Sequence, residues 1–176
     1  VFVLPNEGKG GFGEPATTDV GDGPVDIASG DFDGDGFPEL VTVDFGSDTV
    51  SVLVNDGQGG FAQAFGLPVG GLPRSITVND FDGDEDLDIA IVADASFGRA
   101  IQLIRNDTQS VGDLVFAPVS DVGAGPDPSI VLSADLNADG RVDLLAINPL
   151  GPRGIEGGQV TAVLSKSGPR CPADFT

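Results

Sequence analysis

The chain has no histidine, tyrosine, tryptophan or methionine, and one cysteine in 176 residues. Each absence removes a class of function. General acid–base catalysis most often relies on histidine, and a serine or cysteine nucleophile would be without its usual activating base. Sugar-stacking platforms favour Trp and Tyr, and here the only aromatic residue is Phe. A single Cys gives no disulfide framework within the chain. Basic residues are scarce, 8 against 28 acidic ones, for a formal charge of −20. Even three divalent cations would leave the chain strongly negative, so nucleic acid and anionic membrane surfaces are repelled. No apolar run is long enough for a bilayer span, and no basic-then-apolar leader is visible. The first residue is Val1, inside strand-like sequence, so the chain reads as a mature or excised piece. A helical apolar stripe is missing too, and 27 Gly with 13 Pro would interrupt one.

What the chain does have is three acidic runs of one design. They are Asp31-Phe32-Asp33-Gly34-Asp35-Gly36-Phe37-Pro38-Glu39, Asp80-Phe81-Asp82-Gly83-Asp84-Glu85-Asp86-Leu87-Asp88 and Asp135-Leu136-Asn137-Ala138-Asp139-Gly140-Arg141-Val142-Asp143. Positions 1, 3, 5 and 9 carry an oxygen-bearing side chain in every copy. A calcium ion takes six to eight oxygens at loose geometry, which a short turning loop with alternate carboxylates and a backbone carbonyl can supply. The seventh residue, Phe37, Asp86 or Arg141, would offer that carbonyl, so its side chain is free to vary. Acidic, glycine-rich runs are also ordinary solvated turns, but solubility does not require the same four positions to be filled three times. Nor are these EF-hands, which need Glu at position 12 and flanking helices. Position 12 here is Thr42, Ile91 or Ala146, in strand-like sequence.

The runs sit inside a larger repeat. Val1–Phe12 returns as Val50–Phe61, with Gly-Gly-Phe at the end of each, and in looser form as Ile101–Phe116. A period of about fifty residues points to a propeller or another array. Four short strands per period are expected: Val25–Ser29, Glu39–Asp44, Thr49–Val54 and Phe61–Phe65, then Ser75–Asn79, Asp88–Ala93, Arg99–Ile104 and Leu114–Val119. The third unit offers Ser129–Ala134, Asp143–Asn148 and Val160–Leu164, without a fourth. Prolines 24, 73 and 128 open the units, where a strand does not yet need an N–H. Nearly continuous apolar strands imply cover on both faces. The fold class is therefore all-β, with about three four-stranded antiparallel blades of an incomplete or open propeller. The divisions are an outer hairpin of a preceding blade at 1–24, blades at 25–74 and 75–128, an incomplete blade at 129–166, and a linker or next module at 167–176.

Gly-Gly-Phe, the Gly-Pro or Leu-Pro entry and the Asp-x-Asp-x-Asp-Gly-x-x-Asp loop before an apolar strand together resemble the FG-GAP or VCBS repeat of integrin-α-like β-propellers. The resemblance covers Val1 to about Leu164. It implies loops that join the innermost strand of a blade to the second and hold calcium at the rim, up to three ions here. The implied ligands are Asp31, Asp33, Asp35, the Phe37 carbonyl and Glu39; then Asp80, Asp82, Asp84, the Asp86 carbonyl and Asp88. The third set is Asp135, Asn137, Asp139, the Arg141 carbonyl and Asp143. Glu85 stands where the turn prefers glycine, and Asn137 leaves the third loop one charge short, so the first loop should bind best. Cys171 to Thr176 resembles the opening of a dockerin-like segment.

Function is read accordingly as a non-catalytic, calcium-binding segment of a secreted or cell-surface protein, bacterial by the dockerin-like likeness, with an adhesion or recognition role. Loop-built sites suit the calcium level outside cells. The expected partner is an extracellular protein or glycan, with further blades or domains in the parent chain and no membrane insertion. Recognition would fall to the loops Gly66–Leu72, Asp107–Asp113 and Pro149–Gly158. The alternatives are an accessory domain of a polysaccharide-degrading enzyme and a pure scaffold. For an enzyme, the carboxylates outside the loops are Glu7, Glu14, Asp44, Asp94 and Glu156, and no pairing among them is visible. Asn106-Asp107-Thr108 has the form of a glycan acceptor and is assigned no role.

Overall fold

The computed structural model describes residues 1–62, 65–95, 98–125, 127–149 and 158–165. Among these residues every regular element is a strand. The N-terminal stretch is a nested hairpin: β1 (Phe2–Val3) pairs with β4 (Ala16–Thr17), and β2 (Asn6–Gly8) with β3 (Gly11–Phe12) between them. Next come two four-stranded antiparallel meanders. The first is β5 (Pro24–Gly30), β6 (Glu39–Asp44), β7 (Thr49–Leu53) and β8 (Phe65–Pro68). The second is β9 (Ser75–Asn79), β10 (Asp88–Ala95), β11 (Gly98–Ile104) and β12 (Ser120–Val122). A third sheet has β13 (Ile130–Ala134), β14 (Asp143–Asn148) and β15 (Gln159–Val163). The sheets are propeller-type blades in a row that does not close.

Burial explains the apolar strands. On β10 the side chains alternate between two cores. Ile89, Ile91 and Ala93 pack with Val41, Val43, Val50, Val52 and Phe32 of the first sheet and its loop. Ala90 and Val92 pack with Val131, Leu144, Ala146 and Val163 of the third. A strand covered on both faces must be apolar throughout, and each fully buried Val or Ile contributes about 1.5–3 kcal/mol. The innermost strands are also tied by polar contacts: Ile76 N donates to Asp26 Oδ2 at 3.0 Å, and Val131 N to Ser75 Oγ at 3.3 Å. Among the described residues the outer faces lack this cover. Leu132 on β13 is 53% exposed and Val160 on β15 68%, while at the opposite end Ile27 on β5 is 48% exposed.

In the first two blades the fourth strand is displaced from the position that the sequence pattern predicts. Phe61 and Phe116 form single bridges, to Asn55 and Asn106, which close the glycine turns. The paired fourth strands follow later, at Phe65–Pro68 and Ser120–Val122, instead of Phe61–Phe65 and Leu114–Val119. The apolar run around Phe116 reads as strand because its ring is needed for packing between blades. Phe116 lies edge-on to Phe32 at 6.1 Å and also meets Phe65 at 6.4 Å. The same small hairpin, Asn6 opposite Phe12, recurs at the N-terminus. Because β8 takes up Gly66 to Pro68, the recognition loop expected at Gly66–Leu72 starts only at Val69. Residues 150–157 of the third expected loop and the segment 166–176, with Cys171, lie outside the described residues.

Candidate metal centre

Each acidic run spans the turn from the innermost strand to the second: β5 to β6, β9 to β10 and β13 to β14. One hydrogen-bond scheme builds all three. The carboxylate at position 1 accepts the N–H of position 6: Gly36 to Asp31 at 3.0 Å, Glu85 to Asp80 at 3.1 Å, Gly140 to Asp135 at 3.0 Å. Position 3 accepts from position 5, and position 5 from position 7. The carboxylate at position 9 accepts the N–H of position 2, namely Phe32, Phe81 or Leu136. Side chains of the turn therefore satisfy its own backbone donors, the usual reason Asp and Asn occupy such places. The chain also bends through positive φ at positions 4 and 6.

The scheme brings carboxylate oxygens together. In the first loop Asp31, Asp33 and Glu39 offer oxygens within 4.8 Å of one another, and in the second Asp80, Asp82 and Asp88 do the same. Asp35 and Asp84 are exposed and engaged with the N–H groups of Phe37 and Asp86. In the third loop Asp135, Asn137, Asp139 and Asp143 repeat the scheme, but Asn137 replaces the middle carboxylate and no such triple forms there.

A hard divalent cation fits the first cluster on three counts and the second on two of them. The donor set is entirely oxygen. Asp31 Oδ1 is buried with no hydrogen-bond partner among the described residues, which is costly unless something positive faces it. Five carboxyls of these two loops are also held above their ordinary values. Burial, then repulsion from Asp35 and Asp31, raises Asp33; burial, then Asp33 and Asp35, raises Glu39. Burial and Asp84 raise Asp82, and burial with Asp84, Asp80 and Glu85 raises Asp86. Asp88, fully buried, is pushed up to about 7, chiefly by burial. Asp143 goes the other way. Burial pushes its carboxyl up, but hydrogen bonds from the Ser165 and Leu136 N–H groups and the Ser165 hydroxyl outweigh this and lower it.

Several supporting residues escape the sequence reading. Asn55, Asn106 and Ser165, just past the third strand of each blade, donate their N–H to the carboxylate at position 9: Glu39 at 3.4 Å, Asp88 at 2.8 Å and Asp143 at 2.7 Å. The Asn106 side chain also donates to the Phe32 carbonyl at 2.7 Å, so the second blade holds the first blade's loop. The Asn-Asp pair repeated at 55–56 and 106–107 is the one signal of them in the sequence. Burial of Asn106, with its Oδ1 accepting from Thr108, withdraws it as a glycan acceptor. Asp44, a carboxylate outside the acidic runs, is buried and accepts from Thr42, Ser51 and the Gly21 N–H, a tie for the incoming chain. Asp94 pairs with Arg99, and Glu156 lies outside the described residues.

Within the acidic loops, strain falls on particular copies. Glu85 has φ of 80° where the other loops have Gly36 and Gly140, and Ala138 has φ of 59° where they have Gly34 and Gly83. A left-handed backbone costs a residue with a Cβ about 1–2 kcal/mol. Glu85→Gly is therefore expected to stabilise the protein by about 1 kcal/mol, offset in part by the greater freedom of glycine in the unfolded chain. Urea denaturation checks this; a loss of stability would show that the Glu85 side chain supports the loop.

No curated protein matches the chain. A family model described as an FG-GAP-like repeat matches it twice, over residues 31–91 and 80–146. Each match opens on one acidic loop and runs through the next into the strand that follows it, so it spans one structural repeat and the loop of the next. With the two matches together spanning well over half of its length, the chain belongs to the FG-GAP-like repeat family.

Proposed function

We propose that this chain is a non-catalytic recognition segment of a secreted or cell-surface protein, whose blades are set by calcium. The observation that carries the reading is the pair of oxygen clusters, with the buried, unpartnered Asp31 Oδ1 in the first. Ligands in the first loop are Asp31, Asp33, Asp35, Glu39 and the Phe37 carbonyl; in the second, Asp80, Asp82, Asp84, Asp88 and the Asp86 carbonyl. The third loop holds Asp135, Asn137, Asp139, Asp143 and the Arg141 carbonyl, exposed except for Asp143 and one carboxylate short, and binds more weakly. A bound cation supplies the positive charge that offsets these crowded carboxylates.

The protein's own residues link this to recognition. The 107–113 loop of the second blade leans on the first acidic loop: Gly112 N donates to the Asp33 carbonyl at 3.4 Å, and a Val111 methyl faces Gly34, 3.9 Å from where a side chain's Cβ would stand there. Val111 is itself 70% exposed. Ordering the first loop thereby orders an exposed loop suited to an extracellular protein or glycan. FG-GAP-like repeats are generally non-catalytic, and no helix among the described residues is long and apolar enough to cross a membrane.

Isothermal calorimetry on chelator-stripped protein tests the cation reading. Two or three calcium-binding events are expected, and Asp33→Asn should remove the tightest. Absence of binding heat at millimolar calcium would reduce the loops to solvated turns.

A further inference from the structure

The residue just before the Asn55, Asn106 and Ser165 donors differs between blades: Val54, Arg105 and Leu164. Only the second blade places a cation there. The Arg105 guanidinium has Nη1 3.6 Å from Asp82 Oδ2 and Nη2 3.6 Å from Asp107 Oδ1. Asp82 is the middle member of the second oxygen cluster, and its side chain is only 14% exposed. Arg105 is not delivered there by a floppy segment. Its carbonyl accepts from Ala117 N at 2.8 Å, and the next residue clamps Asp88.

We propose that Arg105 is a built-in competitor for the cation at the second loop. In the metal-free protein its guanidinium is the counter-charge of Asp82. When a divalent cation enters, the two positive charges repel, and Arg105 is left with Asp107 alone. The first loop has Val54 at the corresponding place, and no ion pair among the described residues sets a cation against its cluster. The two clusters, alike in ligands, are thereby set to fill at different calcium levels, the first before the second. The competition itself rests on the calcium reading above; the counter-charge role in the metal-free protein does not.

Amide NMR of the whole chain separates the loops. Gly36 reports the first, Gly83 and Glu85 the second, and Gly140 the third, each being hydrogen-bonded to a position-1 carboxylate. Arg105→Met keeps most of the apolar stem and removes the charge. It is expected to tighten calcium at Gly83 and Glu85 about tenfold, as removal of a nearby like charge should, and to leave Gly36 unchanged. Arg105→Lys should stay close to the parent. In chelator, Arg105→Met should melt lower than the parent, because the second cluster has lost its counter-charge. Unchanged calcium affinity at the second loop, or an unchanged melt in chelator, overturns the proposal while Gly36 still responds to calcium. If no amide responds to calcium in any variant, the calcium reading fails and the competitor role with it.

Discussion

Asp88→Ala is expected to lower stability by about 2–6 kcal/mol, since it orphans two buried backbone donors worth about 1–3 kcal/mol each. Asp88 is fully buried and accepts the Phe81 N–H at 3.0 Å and the Asn106 N–H at 2.8 Å. One carboxylate thus pins the start of its own loop and the end of the third strand. Glu39 has the same role in the first blade, with Phe32 and Asn55 as donors, and Glu39→Ala should behave alike. At about 2–4 °C per kcal/mol for a chain of this length, the melting temperature falls by roughly ten degrees. Asp88→Asn keeps one acceptor and should cost less, yet it removes a charged ligand and should abolish the calcium response of the second loop. Chemical denaturation in chelator measures the first effect and calcium-dependent melting the second. A stability within about 1 kcal/mol of the parent for Asp88→Ala would mean that the two N–H groups find water, contrary to the burial.

Stability should depend on pH in opposite ways with and without calcium. The Asp88 carboxyl in the folded protein keeps its proton up to about pH 7, whereas its ordinary value is 3.8. Between those values the folded state binds more protons than the unfolded one, so metal-free stability falls as pH rises. Asp33, Glu39, Asp82 and Asp86 are raised as well and push in the same direction. Metal-free protein should therefore melt higher at pH 5 than at pH 8. Asp143 opposes this at more acid pH, because its lowered value contributes stability that is lost as pH falls through the folded value. Calcium needs the ionised carboxylates. One site at a hundredfold excess over its dissociation constant contributes about 2.7 kcal/mol, which amounts to about 5–10 °C per filled loop. The calcium-induced rise should be largest near pH 8 and shrink as pH drops through about 7. Melting curves from pH 5 to 8, in calcium and in chelator, check both trends. A metal-free melting temperature that is flat or falls on acidification across this window would contradict the crowding of carboxylates.

Local chemistry makes much of this architecture legible in the sequence. The strands Glu39–Asp44 and Ser75–Asn79 lie where the pattern predicts them, to the residue, because apolar runs bounded by acidic or Asn-rich turns leave little choice. The three loops are legible because their scheme is short-range: every side chain in it satisfies an N–H at most seven residues away. Glu85 stands out because only glycine enters a left-handed turn without cost. Ala138, under the same constraint at position 4, gives no such warning, since its loop still reads as an ordinary turn.

What the sequence by itself determined is the repeat, the all-β class and the register of the acidic loops, all properties of residues close in the chain. The tertiary structure alone decided the rest. Phe116 reads as a strand residue until Phe32, far away in the chain, is seen to lie against it. Asn106 has only the form of a glycan acceptor in the sequence, and burial turns its side chain into a tie on the first loop. Asp88 and Asp143 stand at one position of one motif, but burial wins over hydrogen bonding at the first and loses at the second. The contact between Arg105 and Asp82 is of the same kind. Each of these depends on which surfaces the fold brings together, within a blade or between blades, and desolvation and charge proximity act through space, not along the chain.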